Sequence, residues 1–180
     1  GAHLDDTGAN NGGAAYLFLL SNTPPGNVEL PGAALPVDEG EPMLLTGYFV
    51  DPDVGDHFTV TVAWGDGGTD LAQVSGSPPT YTLTAGHTYA EGPAAYPITV
   101  TVTDLQGGSA SVTETTTVGN IAPALGPLPD REVYAGTPLT VTVAWTAPGV
   151  LDGHTVAIGW SEGVTWTVAV RPATSGVVNT

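Results

Sequence analysis

The chain has 180 residues, enough for one large domain or two small sandwiches. Eighteen acids against two bases, Arg131 and Arg171, give a formal net charge of −16, which repels nucleic acid phosphates and anionic membranes and excludes them as partners. Without cysteine there are no disulfides and no thiolate metal sites, and without lysine there are no lysine-to-asparagine isopeptide staples and no lysine-linked pilus polymerisation.

In chain order, residues 1–20 begin with Gly- and Asn-rich turn material and continue into an apolar run from Ala14 to Leu20. The run is too short for a stable helix and follows helix-breaking glycines, so it predicts a strand. A strand of this kind exposes an apolar face and unpaired backbone, and it needs a partner sheet. Ser21 to Gly26, SNTPPG, predicts a stiff extended linker, because consecutive prolines remove backbone donors.

Beyond the linker, Met43, Leu45, Gly47 and Phe49 alternate with Leu44, Thr46, Tyr48 and Val50 as one strand. The loop DPDVGD leads to the strand around which the rest is arranged, HFTVTVAW, which places Phe58, Val60, Val62 and Trp64 on one face. Gly65-Asp66-Gly67 ends that strand, since glycine takes turn conformations and aspartate hydrogen-bonds its own turn. A strand pair spans Val74 to Leu83. Tyr96, Ile98, Val100 and Val102 then alternate with threonines, and a last strand runs from about Ala110 to Val118. Short strands separated by Gly and Pro turns predict a β-sandwich.

An offset of 96 residues places Pro42 on Pro138, Phe49 on Trp145, Pro52 on Pro148, Asp56 on Asp152, Trp64 on Trp160 and Gly67 on Gly163. The same unit therefore occurs twice, joined at Asn120 to Pro123, with Leu139, Val141, Val143, Trp145, Val156, Ile158 and Trp160 as the inward face of the second copy. By the same offset, the strands at 96–104 and 110–118 would recur at about 192–200 and 206–214, beyond Thr180. The expected organisation is an N-terminal strand segment at 1–21, a sandwich at 22–119 and a second, incomplete sandwich at 120–180.

WGDG at 64–67, HTY at 87–89 and YPITVTVTD at 96–104 resemble the PKD domain, an Ig-like sandwich common in bacterial surface proteins and secreted hydrolases. The resemblance covers roughly residues 28–118 and, more weakly, 121–180, where GWSEG replaces AWGDG and Glu162 stands in place of Asp66. Residues 1–20 resemble the second half of an FG-GAP repeat, whose calcium loop would lie upstream, so Asp5 and Asp6 carry no metal assignment. The resemblance implies tandem Ig-like sandwiches acting as spacers, binders or assembly units.

Strand direction brings certain acids together. The loops after the second and sixth strands of an Ig-like sandwich lie at one end, so Asp51, Asp53, Asp56 and Asp104 can converge on a hard cation, with calcium suited to oxygen-only ligands. The same aspartates equally suit turn capping and loop solvation. In the second copy the matching residues include Ala147, Gly149 and Asp152, so such a site exists once. His3, His57, His87 and His154 lack metal-pair spacing, and no serine has a nucleophile-elbow context, so no enzyme is expected. Of the four tryptophans only Trp166 falls off the core faces.

The acidic, Thr-rich, lysine-free surface suits an extracellular, cell-surface protein, although salt-adapted proteins share the acidity. No apolar run reaches the roughly 18 residues that cross a bilayer. A start at Gly1 without methionine or signal sequence reads as a processed or excised piece. The expected function is a non-enzymatic segment of a surface filament, array or adhesin stalk whose partners are copies of itself or neighbouring surface chains. In that expectation the strand at Ala14 to Leu20 of one copy completes the second sandwich of the next, or a chain continuing past Thr180 fills the groove itself. The alternative is an accessory carbohydrate- or protein-binding module of a secreted hydrolase.

Overall fold

The computed structural model describes residues 2–3, 14–15, 21–33, 35–160, 163–170 and 173–179, with backbone alone at 2–3, 14–15 and 177–179. Among them there is no helix. Among the described residues, β1 (Ala2–His3) and β2 (Ala14–Ala15) pair with each other as a two-stranded sheet. The rest of the expected strand at 16–20 lies outside the described residues, as do Asp5, Asp6 and Glu162.

The first unit is a two-layer sandwich. One sheet contains β3 (Gly26–Glu29), β5 (Pro42–Val50), β9 (Thr80–Thr88) and β8 (Gln73–Ser77), in the order β3-β5-β9-β8. The other contains β4 (Val37–Asp38), β11 (Ser109–Gly119), β10 (Ala94–Asp104), β6 (Phe58–Ala63) and β7 (Thr69–Leu71), in the order β4-β11-β10-β6-β7. This is an Ig-like arrangement, with alternate residues of each central strand turned inward. Leu45, Phe49, Val62, Trp64, Leu83, Ile98, Val100 and Val102 are all fully buried between the layers. The threonines opposite them earn their place on the outer face through cross-strand contacts, such as the Thr99 and Thr113 hydroxyls at 2.8 Å.

The second unit repeats part of this plan. β12 (Ala124–Leu125), β13 (Thr142–Thr146) and β16 (Ser175–Asn179) form one sheet in the order β12-β13-β16, and β14 (His154–Gly159) pairs with β15 (Thr165–Val170). Trp145, Ala147 and Val156 are its core, with Ile158, Val168, Val170 and Ala173 packed around them. After β14, Trp160 N donates to Val164 O at 2.8 Å, as Trp64 N does to Gly68 O at 3.0 Å.

Two expected features differ. β13 covers only Thr142–Thr146, so Leu139 and Val141 of the expected inward face precede it, Val141 buried and Leu139 half-buried. Trp160 is half-buried, not inside, and lines a surface groove with Leu128, Leu139 and Val141.

Candidate cation site

β5 runs directly into Asp51, and β10 ends in Asp104 opposite Phe58, the first residue of β6. The loop 52–57 therefore begins at one acid, carries Asp56 and closes beside another. Asp51 is fully buried and Asp104 is 5% exposed. Each of Asp51, Asp56 and Asp104 presents an oxygen that lies within 4.8 Å of the other two.

The hydrogen bonding around these oxygens is uneven. Asp104 Oδ1 accepts the amides of Gln106 and Gly108 at 2.9 and 2.8 Å, and its Oδ2 accepts Asn22 Nδ2 at 2.8 Å. The Asn22 bond, joined by these amides and opposed by burial, holds its carboxyl below the usual range. Asp51 Oδ1 accepts the Asp53 amide at 2.9 Å, while Asp51 Oδ2 and Asp56 Oδ2 are buried without a partner. Burial pushes the Asp51 carboxyl up, the Asp53 amide opposes this, and the charges of Asp56, Asp53 and Asp104 add to it.

Of the four acids singled out in the sequence, three are brought together. Asp53 points elsewhere, and its Oδ2 accepts the Thr23 amide at 2.6 Å. The donor set fits calcium: all ligands are carboxylate oxygens, and two oxygens each about 2.5 Å from one ion stand at most about 5 Å apart.

A second acidic cluster, which sequence reasoning missed, lies where the two units meet. Glu39, Glu91 and Asp152 offer oxygens within 4.8 Å of one another, and Glu39 is fully buried. Both Glu39 oxygens are taken, Oε2 by the Gly92 amide at 2.7 Å and Oε1 by the Ile121 amide at 3.0 Å. Glu91 Oε1 accepts the Leu151 amide at 2.6 Å. This cluster is a brace of backbone amides across the joint. The local pattern DEGEP gave no sign of it, because the amides come from residues 53 and 82 positions away.

Among the histidines, His87 holds structure. His87 stacks on Trp64 with ring centroids 4.6 Å apart, and its Nε2 meets Asp66 Oδ2 at 2.9 Å. The Tyr89 hydroxyl, pushed up to about 12 by burial and by the Asp66 charge, donates to Trp64 O at 3.0 Å.

No protein-family model matches the chain, and no curated protein matches it. Among solved structures it is similar to dimeric latent PorU from Porphyromonas gingivalis, at 16% identity over 88% of this chain and 17% of that one, with a TM-score of 0.38. The chain thus spans about a sixth of PorU's length. It is also similar to the titin Ig tandem domains A164-A165, at 15% identity over 89% of this chain and 96% of that one, with a TM-score of 0.35. The sheet order of the first unit and its partial repetition in the second define an all-β protein of tandem Ig-like sandwiches.

Proposed function

We propose that the chain is a non-enzymatic, extracellular structural segment of PKD-type sandwiches, part of a surface filament, array or adhesin stalk, joined head to tail by strand complementation. The observation behind this reading is the edge of β14. In the first unit, β6 is paired on both sides, by β7 and by β10. β14 pairs with β15 in the same register advanced by 96, since Thr61↔Leu71 becomes Ala157↔Thr167. On its other side, where β10 would stand, no strand is found among the described residues.

An open edge beside partly buried Ile158 is a template for an added strand. The apolar run at Ala14 to Leu20 is a complement within the same sequence, and a heterologous contact of this kind propagates as a fibre. Several of the polar groups described above hold structure, His87 and Asp66 a turn and Glu39 a joint, which supports a role without catalysis. The lysine-free acidic surface supports an extracellular setting.

Deleting residues 1–20 tests the reading by sedimentation and negative-stain imaging of the intact and shortened chains. Head-to-tail particles should form from the intact chain and be lost on deletion; assembly that persists unchanged would contradict strand donation. A second reading, an accessory binding module of a secreted hydrolase, is favoured by Trp166, which is 52% exposed on β15. Quenching of tryptophan fluorescence by soluble oligosaccharides, lost in Trp166→Phe, would support it.

A further inference from the structure

Asp51 is a fully buried carboxylate with one oxygen unpartnered, and Asp56 adds a second buried orphan oxygen beside it. A buried polar atom without a partner is costly, and a charged one more so. Asp51, Asp56 and Asp104 each have an oxygen within 4.8 Å of the other two, and an ionised carboxylate has no hydrogen to donate to its neighbours. A proton shared between two acids relieves one oxygen of each, whereas a divalent cation satisfies all three carboxylates at once. The absence of nitrogen and sulfur donors in the cluster and its origin in two loops favour calcium over zinc or magnesium.

The linker between β2 and β3 crosses this same end of the sandwich. Asn22 donates to Asp104, and the Thr23 amide donates to Asp53, three residues before Asp56. Pro24 lies so close to Gly108 that a Cβ there would stand 3.1 Å from its Cα, and Pro25 is buried. Ser21 and Asn22 share with Asp53, Asp56 and Gln106 a cavity of about 510 Å3. The residues that would hold the ion are thus the residues, or the immediate neighbours of the residues, that hold the linker.

We propose that Asp51, Asp56 and Asp104 bind one calcium ion and that this ion locks residues 21–25 onto the first sandwich. The ion ties together both ends of the loop 52–55, which sets the Asp53 carboxylate in place to receive Thr23. It also offsets the mutual repulsion of the acids, so that Asp104 stays where Asn22 reaches it. Without the ion, the acids spread and both linker contacts loosen. Calcium therefore stiffens the connection between residues 1–20 and the first sandwich. The lock deepens the structural-segment reading above and rests on it for its use, whereas the site and its coupling stand or fall by their own measurements.

The test uses the full chain in calcium chloride, in magnesium chloride and in chelator, with melting temperature and hydrogen exchange of residues 21–26 as separate readouts. Calcium should raise the melting temperature and slow exchange at the Thr23 amide by about tenfold, equivalent to about 1.4 kcal/mol, and magnesium should do neither. Asp56→Asn should lose both responses, and Asn22→Ala should keep the melting response while losing much of the protection. A melting shift with unchanged Thr23 exchange would overturn the lock and leave a local brace. No response in either readout would overturn the site as well, without touching the β14 edge.

Discussion

Trp64 and His87 lie face to face, their ring planes 8° from parallel, and Asp66 closes the arrangement by meeting His87 Nε2 at 2.9 Å and accepting the Gly68 amide at 2.9 Å. The strand β6, the turn after it and the end of β9 are held by this one cluster. Burial alone would raise the Asp66 carboxyl, but the Gly68 amide and the His87 ring outweigh it and hold the group below the usual range.

A depressed carboxyl contributes stability that is present above its unfolded value, about 3.9, and is lost as pH falls through the folded value. Asp66→Asn should therefore destabilise the first unit by about 1–2 kcal/mol at neutral pH, in line with charge-assisted hydrogen bonds. At about pH 3, below that unfolded value, the deficit should shrink. Denaturant melts of both proteins at the two pH values check this. An equal deficit at both would show that the Asp66 charge contributes nothing.

The two units have separate cores of different depth, and unfolding should report it. Leu45, fully buried, sits in a two-layer core of sixteen buried residues, whereas Trp145 heads a core of three buried residues. The second unit should melt first. Leu45→Ala should lower only the upper transition, by roughly 2–5 kcal/mol, and Trp145→Ala only the lower one, by roughly 3–5 kcal/mol. A single transition that moves with either substitution would contradict two separate cores.

The fold was legible because its signals are local. Period-2 alternation marks β5, β6 and β10, and Gly and Pro turns mark where they stop. Strand direction, within the Ig-like sandwich that the PKD resemblance implies, placed Asp51 with Asp104. Two kinds of feature were not legible. Asp53 sits between Asp51 and Asp56 and reads as a third ligand, but only the folded path of the linker turns it toward Thr23. Glu39 looks like a turn residue, and its burial depends on amides from distant loops.

The joint gives a prediction of its own. Glu39→Ala would leave the half-buried Gly92 and Ile121 amides without their acceptor, a loss of roughly 1 kcal/mol for each. Glu39→Gln, which keeps one carbonyl oxygen, should cost about half as much. Small-angle scattering should show a wider spread of end-to-end distances for the alanine variant than for the parent. An unchanged profile with unchanged stability would mean that Glu39 does not hold the units together.

The β14 edge is tested most directly by hydrogen exchange at residues 154–159 as the chain concentration is raised. In the dilute chain the amides on the unpaired side of β14 should exchange fast while those bonded to β15 are protected. As chains associate, the fast set should become protected, and this gain should disappear when residues 1–20 are removed. Fast exchange on that side at every concentration, in a chain that nevertheless assembles, would contradict strand complementation at β14.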